Sequence, residues 1–280
     1  MLALYLVREI LSLEFSKQQV SRYSRHILLD QIGGVGQASL INSKVLVIGA
    51  GGLGSPVALY LAAAGVGTIG IIDDDLVELS NLQRQILHKT HSIGKPKVHS
   101  AKQTIHEINP EVKLIPIQDR ISPNNAMELI DQYDLVADGC DNFKTRFLVN
   151  DACYFSRKSL VSAAILRFDG QIYTFNPHKK DAKGNQLPCY RCLFPQPPPP
   201  GEINTCAEAG VLGALCGTIG SLQATEIVKE LLGIGESLAG SLIVYEGLSS
   251  TFRKIKVNAD PDCPLCGTSP KIVDLSIYAK

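Results

Sequence analysis

The chain carries Gly49, Gly51 and Gly54 in the stretch VLVIGAGGLGSPVALYLAAAGVGTIGIIDDD, which runs from Val45 to Asp75. This is a G-x-G-x-x-G pattern, and Asp73 follows about twenty residues on, at the end of a second apolar run. In such a loop Gly49 allows the tight turn, Gly51 lets backbone approach a phosphate, and Gly54 lets a helix pack close to a strand. A helix that begins near Ser55 aims its N–H groups and the positive end of its dipole at an anion. Asp73 can accept hydrogen bonds from ribose hydroxyls. The motif specifies an adenosine phosphate and leaves NAD and ATP both open; a tight turn with a capping aspartate is the bland alternative.

The residues that separate NAD from ATP lie outside the fingerprint. ELSNLQRQIL and GKPKVHSAKQ follow the second strand and carry Asn81, Arg84 and Lys97. A pyrophosphate held by a glycine loop needs little extra cation. A triphosphate carries more charge, and the pentavalent state at its α-phosphorus needs donors aimed at the equatorial oxygens. Singly, each of these residues reads as a solvated surface charge; together, beside a nucleotide loop, they read as a phosphate set. In DLVADGCDNFKTR, Asp138 and Asp141 stand at the carboxyl end of a fourth strand, where open α/β sheets bind ligands. Asp141 can hold Mg²⁺ or cap the helix that follows, and Arg146 can pair with a carboxylate or with phosphate.

Cys189-Tyr190-Arg191-Cys192 and Cys263-Pro264-Leu265-Cys266 are two C-x-x-C knuckles far apart in the chain. Four thiolates close a tetrahedral zinc site with no open position, so the expected role is structural. Cys140, Cys153 and Cys216 lie in apolar or helical context and read as core. Cys206, in INTCAEAG, precedes a helix whose N-terminus lowers a thiol pKa; nucleophile and spectator are both open.

These groups need a scaffold, and the apolar pattern supplies one. Strands are expected at Val45–Ile48, Thr68–Asp73, Val112–Ile117, Leu135–Ala137 and Leu160–Ala164. Helices are expected at Ser16–Leu29, Ser55–Ala64, Pro96–Ile108, Asn125–Gln132 and Asn142–Ser156, with a glycine-rich turn at Gly33–Gly36. The alternation argues an α/β fold with a doubly wound, Rossmann-like, mostly parallel sheet. Gln171–Phe175, Ser241–Glu246 and Phe252–Val257 read as antiparallel strands that extend it. Val211–Leu232 reads as a long apolar helix with a possible break near Gly217–Gly220. His178–Asn204 contains PQPPPPGE and reads as a long mobile loop, because consecutive prolines neither continue a helix nor join a central strand.

With 280 residues, 45% hydrophobic and formally uncharged overall, the chain can bury a large core. No global charge draws it to nucleic acid or an anionic membrane. No apolar run reaches the roughly 18 residues of a membrane span. Leu6, Ile10 and Leu13 fall at helical spacing in an N-terminal extension over residues 1–15, and Arg8 and Glu9 interrupt any export signal. The expected compartment is therefore the cytoplasm, where thiols stay reduced. Residues 16–280 read as one ATP-binding unit ending in a cysteine-bearing tail.

RYSRHILL, GAGGLG, DDDLVELSNLQRQ, GKPK, DNFKTR, CYRC, TCAEAG, GSLQATE and CPLC occur in this order over about residues 20–267. Together they make the chain resemble the MoeB/ThiF/HesA family, bacterial relatives of ubiquitin-activating enzymes. The resemblance implies an adenylyltransferase that uses ATP and Mg²⁺. It would act on the C-terminal Gly-Gly carboxylate of a ubiquitin-like sulfur-carrier protein, ThiS-like or MoaD-like, in thiamine or molybdopterin biosynthesis. It also implies that Gly52 lies in the nucleotide loop, that Asp73 holds the ribose, and that Asn81, Arg84 and Lys97 contact phosphates. Asp141 would assist the metal, and Arg25 would reach into the partner subunit's site in a homodimer. The four paired cysteines would hold zinc, and Cys206 would take part in sulfur transfer in the ThiF branch alone. The sequence holds no C-terminal rhodanese-like region, so a separate sulfur-donor protein is expected. An NAD-dependent oxidoreductase and a non-catalytic binder of a ubiquitin-like protein are the competing readings.

Overall fold

The protein is described by a computed structural model covering residues 15–199 and 209–278. The N-terminal extension, the end of the proline run and Cys206 lie outside the described residues. The first described helix, α1 (Lys17–Ile27), starts at a capping box: Ser16 and Gln19 each bond the other's backbone N–H. Helix α2 (Gly33–Asn42) follows directly, which corrects the expected turn at Gly33–Gly36. Gly33 has φ +59° at the helix start, and the buried Gln37 bonds the Ala64 carbonyl and His26. Tertiary contacts thus override the helix-breaking tendency of the glycines.

Eight strands form one sheet in the order β3-β2-β1-β4-β5-β6-β7-β8. The strands β1 (Lys44–Ile48), β2 (Thr68–Ile72), β3 (Lys113–Ile117), β4 (Leu135–Asp138) and β5 (Ser159–Leu166) run parallel. The strands β6 (Asp169–Phe175), β7 (Ser241–Glu246) and β8 (Thr251–Lys256) extend it antiparallel, as expected from sequence. Both faces of the parallel part are covered, so its strands are continuously apolar. Val45 and Val47 point into one core layer with helices α2, α3 (Gly54–Ala64), α4 (Lys97–Ile108) and α7 (Gly213–Leu232). Leu46 and Ile48 point into the other, with α5 (Ala126–Asp131), α6 (Phe143–Phe155) and Tyr190.

Helix α7 is continuous through Gly217 and Gly220, against the expected break. A Cβ at Gly220 would lie 2.3 Å from the Pro56 ring and 3.0 Å from the Leu53 carbonyl. That glycine therefore serves close approach to α3. The region after His178 is partly folded: Lys180 bridges Gln186, and the Asp181 carboxylate accepts from the backbone N–H groups of Lys183 and Asn185. Cys140, Cys153 and Cys216 are buried, as a core role requires. Among the described residues no helix is long and apolar enough to cross a membrane.

Candidate active site

Strand order reverses direction between β1 and β4, and the loops leaving these strands open a crevice there. The β1 loop is the glycine loop. Gly49 has φ +90°, and a Cβ at Gly54 would sit 1.9 Å from the Gly49 carbonyl oxygen, so neither position tolerates a side chain. Asp73 leaves the end of β2 beside it. One of its carboxylate oxygens accepts from the Ala50 N–H at 2.8 Å, the other from the Asp75 N–H at 2.9 Å. Burial pushes the Asp73 carboxyl above its ordinary value, opposed by Lys97 and these backbone donors.

A cavity of about 860 Å³ extends from this loop across the carboxyl ends of the parallel strands. Gly49, Gly51, Gly52, Asp73, Arg84, Lys97 and Asp141 all line it. Lys97 reaches it because Leu76 bridges Pro96, closing the loop after β2 onto the start of α4. Its ammonium is buried and lies 2.8 Å from the Asp75 carboxylate. Arg84 donates to the Ser80 carbonyl at 3.1 Å. Asp141 is exposed at the rim, and the helix-capping role falls to its neighbour: Asn142 accepts from the Thr145 N–H at 2.9 Å. The capping alternative for Asp141 is thereby overturned.

Three expected site residues are not brought to the cavity. Gly54 packs beneath the loop rather than lining it. Asn81 is buried, and its side-chain oxygen accepts from the Glu78 N–H at 3.1 Å, closing the turn that presents Arg84. Arg25 is exposed on α1, away from the cavity of its own chain. Arg146 pairs with a carboxylate: it lies 3.5 Å from the fully buried Asp138 and donates to the Cys140 and Ala163 carbonyls at 2.8 Å each. Ser162 donates to Asp138 at 2.7 Å and Gln223 to the Asp138 carbonyl at 2.9 Å. These groups brace the turn that carries Asp141.

Sequence reading singled out Asp138 and Arg146 and allowed Arg146 a carboxylate partner, but it missed Ser162 and Gln223, because each is ordinary on its own strand or helix. It also missed a buried network in which Asp151 accepts from Arg191 at 2.8 Å and from the Tyr278 hydroxyl at 2.6 Å. That network fixes Tyr190, which forms part of the cavity wall. The run CYRC was the available signal, since an arginine between two paired cysteines is buried with them.

The four paired cysteines converge. Their sulfurs lie within 4.8 Å of one another, with Cys189–Cys263 at 3.6 Å, Cys189–Cys266 at 3.4 Å, Cys192–Cys266 at 3.4 Å and Cys189–Cys192 at 4.0 Å. Four thiolates about 2.3 Å from one ion stand roughly 3.8 Å apart, so the cluster has the size of a tetrahedral metal site.

A family model described as ThiF family matches residues 23–265. A sulfur carrier protein adenylyltransferase of Thermus thermophilus is 47% identical over 266 residues, or 95% of this chain and 97% of that one. The SAMP-activating enzyme E1 of Haloferax volcanii is 46% identical over 257 residues, or 92% of each chain. The probable adenylyltransferase/sulfurtransferase MoeZ of Mycobacterium tuberculosis is 48% identical, and the chain spans 94% of itself but 65% of MoeZ. Among solved structures, Escherichia coli MccB with MccA-N7isoASN superposes with a TM-score of 0.76 over 91% of this chain and 76% of that one. At 22% identity that likeness is one of fold. The glycine loop, the cations beside it and the cysteine cluster thus stand on a scaffold shared with these relatives at high identity, and the chain belongs to the ThiF family.

Proposed function

We propose that the protein is an adenylyltransferase that activates the C-terminal Gly-Gly carboxylate of a ubiquitin-like sulfur-carrier protein, for thiamine or molybdopterin biosynthesis. The observation that carries this reading is one cavity lined by the glycine loop, Asp73, Arg84, Lys97 and Asp141. Of two relatives of matching length, one is named a sulfur carrier protein adenylyltransferase and the other a SAMP-activating enzyme E1.

The chemistry follows from the anions involved. A carboxylate is a poor electrophile. One of its oxygens attacks the α-phosphorus of ATP, the bond from that phosphorus to the β-phosphate oxygen breaks, and pyrophosphate leaves. The product is an acyl adenylate whose AMP is a good leaving group for a later thiolation. This step needs no covalent nucleophile. It needs two anions held in line with cations around them. The glycine loop and the start of α3 cradle phosphate, and Asp73 accepts from the ribose. Arg84 and Lys97 face the phosphate oxygens, with the Asp75 carboxylate holding Lys97 in place until nucleotide arrives. Mg²⁺ held by Asp141 would neutralise triphosphate charge, and zinc in the cysteine cluster would tie Cys189 and Cys192 to the C-terminal tail. The active unit is a homodimer in which Arg25 serves the partner's site, and sulfur comes from a separate donor protein. Cys206 is a further candidate for the transfer step.

ATP–pyrophosphate exchange with Mg²⁺, run separately with a ThiS-like and a MoaD-like carrier, tests this. Exchange that depends on one carrier establishes the reaction and names its pathway. ATP binding without exchange on either carrier would overturn the catalytic reading in favour of a non-catalytic binder; NAD binding in place of ATP would favour an oxidoreductase.

A further inference from the structure

We propose that His88 is a positioning residue for the nucleotide loop; this rests on the reading of that loop as the ATP site. Ala50 stands between Gly49 and Gly51, and both sides of its backbone are held from outside the loop. Its N–H donates to Asp73 at 2.8 Å, and its carbonyl lies 2.9 Å from Nε2 of His88. A carbonyl only accepts, so Nε2 carries the proton. Nδ1 lies 3.0 Å from the Ser100 hydroxyl and accepts from it in the neutral ring. His88 is buried, and burial holds its pKa below the ordinary value, which keeps the ring in this neutral form.

The position of His88 in the chain gives this contact its meaning. Arg84, Gln85 and His88 lie on one short segment packed against the loop. The Arg84 stem is 3.7 Å from where a Gly52 Cβ would stand, and the Gln85 amide nitrogen is 3.8 Å from the same point at Gly51. Ser100 sits on α4, three residues after Lys97. One imidazole therefore links the glycine loop, the segment that delivers Arg84 and the helix that delivers Lys97. A run of glycines has little side-chain packing to hold it, so its phosphate-binding shape depends on restraints of this kind. A histidine that merely fills the core would affect stability without singling out ATP.

The test uses the full-length protein, wild type and the variants His88→Phe, His88→Gln and Ser100→Ala. Pyrophosphate exchange is measured against ATP and against carrier, with melting temperature and hydrogen exchange of the 45–55 backbone in the nucleotide-free protein. His88→Phe should raise the ATP KM about tenfold, the usual effect of orphaning a buried acceptor, and leave the carrier KM unchanged. His88→Gln, whose amide can donate to the Ala50 carbonyl, should recover most of that loss. His88→Phe should also speed loop exchange without nucleotide. If His88→Phe fails to fold, Ser100→Ala carries the same expectation, weaker but selective for ATP. An unchanged ATP KM, or equal shifts in both KM values, in a folded variant overturns the assignment. Loop exchange reads the clamp without nucleotide: if the wild type binds no ATP, the ATP reading fails, and unchanged loop exchange in His88→Phe independently overturns the clamp.

Discussion

At the scale of single residues, charge placement decides the chemistry. Lys97 is 5% exposed, yet its ammonium has the Asp75 carboxylate 2.8 Å away, so the fold carries a buried cation to the cavity with its counter-charge. Arg84 keeps one backbone bond and otherwise faces the cavity. Asp141 is held at the rim by a turn braced through Asp138, Arg146, Ser162 and Gln223. Groups preorganised in this way lose most of their effect when truncated. Arg84→Ala and Asp141→Ala should each lower carrier-dependent pyrophosphate exchange by about a hundredfold or more while the melting temperature stays near wild type. Near-normal turnover in either variant would remove that residue from the mechanism. Asn81 was expected at the phosphates; its oxygen accepts from the Glu78 N–H, which shapes the turn before Arg84 and orients the amide, while its NH2, the group from which a phosphate would accept, lies 3.5 Å from the Ser80 hydroxyl.

At the scale of elements, two junctions control the site. The first is the β1–α3 turn. Since a methyl group on Gly54 would stand 1.9 Å from the Gly49 oxygen, the strand and helix must separate to admit it. Gly54→Ala should cost about 3 kcal/mol, read as a fall in the denaturation midpoint, and should also weaken ATP binding, because the displaced atoms belong to the nucleotide loop. An unaltered midpoint would show that the turn is looser than this geometry. The second junction is the cysteine cluster, which joins the segment around Tyr190 to residues 263–266. Stripping zinc with a strong chelator, or making Cys263→Ser, should release about one zinc per chain and speed amide exchange at residues 186–194 and 260–278. Exchange in β1, β2 and β4 should stay slow, because each of those strands is paired on both sides within the sheet. A metal-free protein with an unchanged exchange pattern would refute the structural role.

At the scale of the whole molecule, the topology explains why the site stands where it does. The parallel strands bring their carboxyl ends to one edge, and the switch point between β1 and β4 leaves the crevice that the loops fill. The antiparallel extension β6–β8 continues the same sheet and lets the cavity wall run on to Asp169, Gln171 and Tyr173. Arg25 stands apart from the cavity: it is exposed on α1 and is not among the described residues that line it. Its proposed role therefore belongs to a dimer, and complementation tests it. Arg25→Ala and Asp141→Ala proteins, each inactive, should regain roughly a quarter of wild-type exchange when unfolded together and refolded, because half the dimers are mixed and each mixed dimer holds one complete site. No recovery on mixing would place Arg25 outside the partner's site.

Much of this architecture was legible in the residues themselves. Apolar runs bounded by glycine and charge marked the strands to within a residue or two, because parallel strands buried on both faces leave a continuous hydrophobic signature. The glycine spacing, Asp73 and the cation-bearing stretches after it announced a nucleotide site, and two C-x-x-C pairs announced a shared cluster. What the residues could not announce was which neighbours they would meet. Gly33–Gly36 read as a turn and Gly217–Gly220 as a break, because the local cost of glycine in a helix is visible in sequence while the helix contacts that offset it are not. Arg146 read as pairing with a carboxylate or with phosphate, because a polar side chain carries no mark of the partner it will find. The sequence by itself determined the chemical types available and the order in which strands and loops deliver them. Only the tertiary structure decided that Arg146 faces Asp138, that Asn142 rather than Asp141 caps its helix, and that His88 closes on Ala50. Those choices depend on contacts between residues distant in the chain, which local spacing does not encode.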